Sequence, residues 1–213
     1  MPCGYMGSSR ACGQERKRIV KEYVVGITGA SGSIYGLKTA AALLEEKARV
    51  RLIFSETGEK VAAYETGRGP GEWADDFKDR FGDQLILEDN RDLFSPAASG
   101  SHLTDGMVIA PCSMSKLGYI AAGITPDLMT RAADVALKQH RPLVVMPRET
   151  PLSQIHLKNM LALAEWGAFI VPAMPAFYQK PQSLDDMADF MAGRVLDCLG
   201  LKNNRYARWR EEG

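Results

Sequence analysis

Long apolar runs are missing from this chain of 213 residues, and no stretch approaches the roughly 20 residues that span a bilayer. That absence predicts no membrane-crossing segment. An excess of either charge is missing too: lysine and arginine number 26 and so do aspartate and glutamate. No broad basic field exists to draw in nucleic acid or an anionic membrane surface, so any cation used in function has to be placed locally. Cysteine is sparse. Cys3, Cys12, Cys112 and Cys198 form neither a CxxC pair nor a dense framework, which predicts reduced thiols and a cytoplasmic location. His102, His140 and His156 stand far apart and share no ligand spacing with the cysteines, so no metal site is expected. A Gly-x-Ser-x-Gly elbow is absent, which argues against a serine hydrolase. The segment before Lys21 has no apolar core of the kind a secretory signal needs.

What the chain does have is a strand-to-helix junction at Val24-Val25-Gly26-Ile27-Thr28-Gly29-Ala30-Ser31-Gly32-Ser33-Ile34-Tyr35-Gly36. A β-branched apolar run stops at Gly29 and small residues lead into a helical pattern. Such a turn is suited to an anion, because free N–H groups and the helix dipole point out of it, and Gly29, Ala30 and Gly32 would let a phosphate approach. The glycine spacing is not a dinucleotide fingerprint. Ser55, and not an acid, follows the second strand, which disfavours NAD and leaves room for a mononucleotide such as FMN.

The pattern then repeats. A helix over Ile34 to Glu46 precedes a strand over Val50 to Phe54, Ser55 caps a helix to about Glu65, and a polar region to Gly82 reads as a loop and one exposed helix. Strands follow at Leu85 to Leu87, at Gly106 to Ala110 before Pro111, at Leu143 to Met146, and at Ala168 to Val171. Helices are expected from Ser113 to about Ala122, Pro126 to His140, Ser153 to Trp166, and Ser183 to about Leu199. Phe94 to Ser101 and Pro172 to Pro181 read as loops. This alternation predicts an α/β fold with a mostly parallel sheet and helices on both faces. Residues 1–21 read as a loose extension, 22–200 as a single domain, and 201–213 as a tail whose Tyr206 and Trp209 favour docking near the active site.

Several chemical candidates have plain structural readings. Arg131 and Lys138, seven apart, share a helix face and suit a solvated basic stripe as well as a site. Asp185-Asp186-Met187-Ala188-Asp189 matches the magnesium-diphosphate pattern of isoprenoid synthases, but one copy at a helix start is better explained by the helix dipole. Cys112 beside Pro111 lacks a positioned base and reads as a packing residue. Arg148 and Glu149, wedged between Pro147 and Pro151 at a strand's carboxyl end, are placed less ordinarily.

Six stretches taken together resemble the UbiX-type flavin prenyltransferases, once described as aromatic acid decarboxylases. They are Thr28 to Gly36, Ala110-Pro111-Cys112-Ser113-Met114, Arg131-Ala132-Ala133-Asp134-Val135, Pro147-Arg148-Glu149-Thr150-Pro151, Ile155-His156-Leu157-Lys158-Asn159-Met160 and Pro175-Ala176-Phe177-Tyr178. The resemblance implies a flavodoxin-like, Rossmann-type three-layer sandwich assembled into a homododecamer, with FMN held between subunits. It implies transfer of a dimethylallyl group from dimethylallyl monophosphate to N5 and C6 of reduced FMN, giving prenylated FMN for UbiD-type decarboxylases. Gly29, Ala30, Ser31, Ser55, Ser113, Met114, Ser115, Lys116 and Arg148 would contact FMN. Lys138, Glu149, Tyr178 and Arg194 would surround the donor phosphate, with Arg131 in that network. Ser31 and Glu65 would handle protons, Glu65 as a buried group that takes one up if its pKa is raised, and Trp209 would add a π-face beside Tyr178.

One departure stands out. Lys116 occupies a place where a hydroxyl or small residue is usual in the family, with Ser115 beside it. Two other readings remain: an FMN-dependent decarboxylase of the cysteine decarboxylase superfamily, whose Pro-x-Met-Asn-x-x-Met-Trp segment is absent here, and a non-catalytic flavin-delivery partner.

Overall fold

The computed structural model describes residues 20–208. Trp209, Cys3, Cys12 and nearly all of the expected N-terminal extension lie outside the described residues. The elements in chain order are β1 (Glu22–Ile27), α1 (Ser33–Glu45), β2 (Arg49–Phe54), α2 (Glu56–Thr66), α3 (Pro70–Phe81), β3 (Leu85–Glu88), β4 (Gly106–Cys112), α4 (Met114–Ala121), α5 (Leu128–Lys138), β5 (Leu143–Pro147), α6 (Gln154–Glu165), β6 (Phe169–Ile170) and α7 (Leu184–Cys198). No helix among the described residues is long and apolar enough to cross a membrane.

The strands form one sheet in the order β3-β2-β1-β4-β5-β6, and each neighbouring pair is parallel. This is the flavodoxin-like, Rossmann-type α/β sandwich. Side chains alternate across the sheet as the two-residue strand period requires. Val25, Ile27, Leu52, Phe54 and Val108 face a layer containing α1, α3 and α7, whereas Val24, Ile53, Met107 and Ile109 face α4, α5 and α6. Because strand order reverses between β1 and β4, their following segments leave to opposite faces and open a crevice at the carboxyl ends.

Two boundaries differ from expectation for local reasons. β4 does not stop at Pro111. The Ala110–Pro111 peptide is cis, the register against β5 shifts between Ile109 and Cys112, and the strand continues to Cys112. Pro126 lies before α5, because Asp127 is the cap: its side chain accepts from the Thr130 N–H while the Thr130 hydroxyl meets the cap's own N–H. Ser55 caps α2 as expected, and Ser113, Ser153 and Ser183 likewise accept a backbone N–H at the start of α4, α6 and α7.

Candidate functional site

The crevice at the strand ends is a cleft of about 810 Å³ lined by Gly29, Ser55, Glu56, Thr57, Glu59, Asp89, Asn90, Arg91, Ser113, Ser115, Lys116, Tyr119 and Asp127, among others. Such a volume suits a small-molecule ligand. Thr28, fully buried after β1, ties its two sides together. Its hydroxyl donates to the Pro111 carbonyl at 2.8 Å and accepts from the Ser113 N–H at 2.8 Å. The β1 and β4 junctions are therefore braced as one unit. Thr28 was not singled out from sequence, although a hydroxyl at the end of a buried strand was the available signal.

The turn before α1 does hold an anion, and that anion is the chain's own. Glu65, at the end of α2, accepts from the Gly32 N–H at 3.0 Å, the Ser33 N–H at 2.9 Å and the Ser33 hydroxyl at 2.6 Å. The space a side chain at Gly29 would need is already filled, since an added Cβ would lie 2.4 Å from Thr57 Cγ2. The open phosphate cradle expected at Gly29, Ala30 and Gly32 is thus corrected: protein groups occupy it, and a ligand phosphate has to sit elsewhere along the strand ends. Ala30 is buried, whereas Ser31 is exposed at the rim.

Glu65 also departs from its expected state. It is exposed, not buried. What burial its carboxyl has pushes its pKa up, but hydrogen bonds from the Ser31 and Ser33 side chains and from the Gly32 and Ser33 N–H groups outweigh this and hold it below the usual carboxylate range. It is ionised at neutral pH. A group with a depressed folded-state pKa contributes stability that is present above its unfolded pKa and lost as pH falls through the folded one. Glu65→Ala is therefore expected to lower Tm by a few degrees at pH 7, with the gap to wild type closing below about pH 4. Thermal melts across that range check it; a gap independent of pH would contradict the ionised clamp.

Ser55 and Ser113 line the cleft while capping α2 and α4. Met114 is buried behind them, and Ser115 and Lys116 face the cleft. Lys116 is ion-paired with Asp127, which Asn90 also contacts at 3.2 Å. Nothing in the local sequence pairs Lys116 with Asp127, and Asn90 carries no local signature. Arg148 follows β5, beside the β4 end, and its backbone N–H donates to the Cys112 carbonyl at 3.2 Å. Its Nε is buried and has no hydrogen-bond partner among the described residues. A buried donor of this kind, on a group that is always charged, fits an anionic ligand at the strand ends. Cys112 is fully buried, and burial pushes its thiol up to about 12, which suits packing and not nucleophilic attack at neutral pH.

The residues expected around a donor phosphate are not gathered within one chain. Arg131 pairs with Asp134 at 2.7 Å, and Lys138 reaches the same carboxylate at 3.9 Å from the far end of α5. Arg194 pairs with Asp197 at 3.0 Å and with the Tyr206 hydroxyl at 2.9 Å on α7. Tyr178 stands edge-on to Phe190, 6.2 Å between centroids, and Phe190 in turn meets Tyr206 of the tail at 5.1 Å. Helices α5 and α7 belong to opposite layers of the sandwich. Glu149 is exposed and accepts from the Thr150 N–H at 3.0 Å.

Comparison with known proteins places this geometry. The flavoprotein family model matches residues 12–196. The flavin prenyltransferase UbiX of Methanothermobacter thermautotrophicus is 44% identical over 192 residues, covering 90% of this chain and 97% of that protein. The crystal structure of AnUbiX (PadA1) in complex with FMN and dimethylallyl pyrophosphate superposes with a TM-score of 0.84 at 39% identity, covering 91% of this chain and 100% of that one. A dodecameric FMN-dependent UbiX-like decarboxylase from Escherichia coli O157:H7 gives a TM-score of 0.82 at 40% identity, covering 89% and 99%. The chain belongs to the flavoprotein family and, within it, to the UbiX-type flavin prenyltransferases.

Proposed function

We propose that this protein joins a dimethylallyl group from dimethylallyl monophosphate to N5 and C6 of reduced FMN, and that the product serves a UbiD-type decarboxylase. The observation that carries the reading for this chain is the Arg148 Nε, buried without a hydrogen-bond partner among the described residues, at a strand end whose neighbour β4 leads into the hydroxyl-lined cleft at Ser113. Reduced FMN supplies the nucleophilic ring atoms.

The chain's own residues do the rest. Ser55, Ser113, Ser115, Lys116 and Arg148 hold the flavin and its phosphate, with Gly29, Ala30 and Met114 as the wall behind. Ionised Glu65 fixes the turn and orients the Ser31 hydroxyl toward the flavin. Breaking the allylic C–O bond puts charge on the departing phosphate, which Lys138, Arg194, Arg131 and the Tyr178 hydroxyl stabilise with Glu149 ordering the cations. Tyr178 gives the allylic cation a π-face and helps keep water out. Since α5 and α7 lie on opposite layers, these groups meet only between copies, and a dodecamer like that of the E. coli relative satisfies the requirement. The AnUbiX structure was solved with the pyrophosphate, so both donors belong in the assay.

A transfer experiment tests the product's role. The small-molecule fraction from protein, reduced FMN and donor should activate an apo UbiD-type decarboxylase, and the same fraction prepared without donor should not. Equal activation without donor would mean the protein delivers flavin and does not modify it.

A further inference from the structure

Beyond α7 the chain does not leave the surface. Residues 203–208 strap the helix to the loop that precedes it. The Asn203 side-chain amide donates to the Gly193 carbonyl at 3.2 Å and to Asp197 at 3.0 Å. Arg205 pairs with Asp189 of α7 at 3.0 Å and with Glu45 of α1. The Ala207 N–H donates to the Gln179 side-chain oxygen at 3.1 Å, and the Gln179 amide donates back to the Ala207 carbonyl. The crossing is close: a Cβ added at Gly193 would lie 2.6 Å from Tyr206 Cδ1. The strap therefore spans from the loop that carries Tyr178 to the helix that carries Arg194.

Tyr206 stands at its centre. The hydroxyl donates to Asp197 and accepts from Arg194 Nη1 at 2.9 Å, and the same Nη1 donates to Asp197 at 3.0 Å. The other Asp197 oxygen takes Asn203 and, at 3.0 Å, Arg208. Burial pushes the Asp197 carboxyl up, but hydrogen bonds from Tyr206 and Arg208 outweigh this and hold it below the usual carboxylate range, so the anchor is ionised. All the bonds of the Arg194 guanidinium among the described residues fall on Nη1, which leaves Nε and Nη2 without a partner there, on a side chain 48% exposed. Those two nitrogens form the side-on fork of a guanidinium, the edge that meets a phosphate with two parallel N–H bonds. The Tyr206 ring also packs on Phe190, 5.1 Å between centroids, and Phe190 meets Tyr178 at 6.2 Å, so one tail residue touches both halves of this wall.

We propose that Tyr206 is a positioning residue for the prenyl donor: with Asp197 it pins Arg194 by one edge so that the opposite edge is preset for the donor phosphate. This rests on the placement of Arg194 at the donor under the proposed function and adds what orients it. An unpinned arginine on a helix surface has to be ordered when the phosphate binds, and that ordering weakens binding.

Calorimetric titration of dimethylallyl monophosphate into protein loaded with oxidised FMN, which lacks the nucleophilic reduced ring, reads donor binding apart from turnover. Tyr206→Phe keeps the ring on Phe190 and Gly193 and removes only the hydroxyl. It should weaken the donor about three- to tenfold, the scale of ordering one long side chain, with FMN affinity unchanged. Arg194→Met should weaken the donor at least as much, and adding Tyr206→Phe to Arg194→Met should change nothing further, because the hydroxyl acts through the guanidinium. Donor affinity equal to wild type in Tyr206→Phe, or the same loss from Tyr206→Phe with and without Arg194, would overturn the proposal and leave the donor site standing. Tighter donor binding in Tyr206→Phe would also overturn it, since the hydroxyl would then compete with the phosphate. A wild type that binds FMN and not the donor would overturn the donor site itself, and the proposal with it.

Discussion

Replacing Arg148 with methionine is expected to weaken FMN binding about a hundredfold while leaving the ligand-free protein as stable as wild type or slightly more so. The two halves of that result have one cause. In the chain alone the Arg148 Nε is buried without an acceptor, and a desolvated, unpaired donor costs about 1–3 kcal/mol until a ligand meets it. Methionine keeps a long apolar stem for packing and removes the donor, so the fold gains what the ligand loses. Removing one side of a buried charged contact costs about 2–5 kcal/mol, which brackets a hundredfold change in Kd. Flavin titration and thermal melts of the apo form measure both. Loss of binding accompanied by a lower apo Tm would show Arg148 to be a structural residue.

The second large effect is on the fold. Gly36→Ala is expected to destabilise the protein by about 3 kcal/mol, toward the upper end for an overpacked interior. Gly36 lies on the buried side of α1, and a Cβ there would sit 2.0 Å from the Ala110 carbonyl oxygen and 2.6 Å from Ile27 Cγ1. Neither neighbour can yield: one is backbone of β4, the other a β1 core side chain. Alanine is the better helix former at an exposed position by about 1 kcal/mol, so a destabilised variant would mark the close approach of helix to sheet as the deciding contact. Urea denaturation checks the magnitude. Because α1 must move away from β1 and β4, the Glu65 clamp on its first turn should loosen in the same variant, with a weaker low-pH loss of stability as the sign.

Why some of this was legible in the sequence and some was not follows from the range of the interactions. Strands such as Val50 to Phe54 and Leu143 to Met146, and the cap at Ser55, are local patterns, and they stand where periodicity and hydroxyl placement put them. The motif-bearing turns likewise converge on one end of the sheet, as a parallel α/β alternation dictates. Glu65 is different. It closes a turn 33 residues earlier in the chain, and nothing in the spacing of either segment reports that pairing. The same holds for Lys116, whose partner Asp127 belongs to the next helix. Pro111 misled because proline ordinarily ends a strand, whereas here it lies within a register shift against β5 and β4 continues to Cys112. The separation of Lys138 from Arg194 is a property of layers: only the three-dimensional arrangement shows that α5 and α7 lie on opposite sides of the sheet.

The most direct measurement of the central claim is mass spectrometry of the flavin after anaerobic incubation of the protein with reduced FMN and dimethylallyl monophosphate. A flavin heavier by one dimethylallyl-derived group, formed only when protein and donor are both present, is the expected result. Unmodified FMN recovered from folded, FMN-bound protein, with the monophosphate and with the pyrophosphate alike, would contradict it.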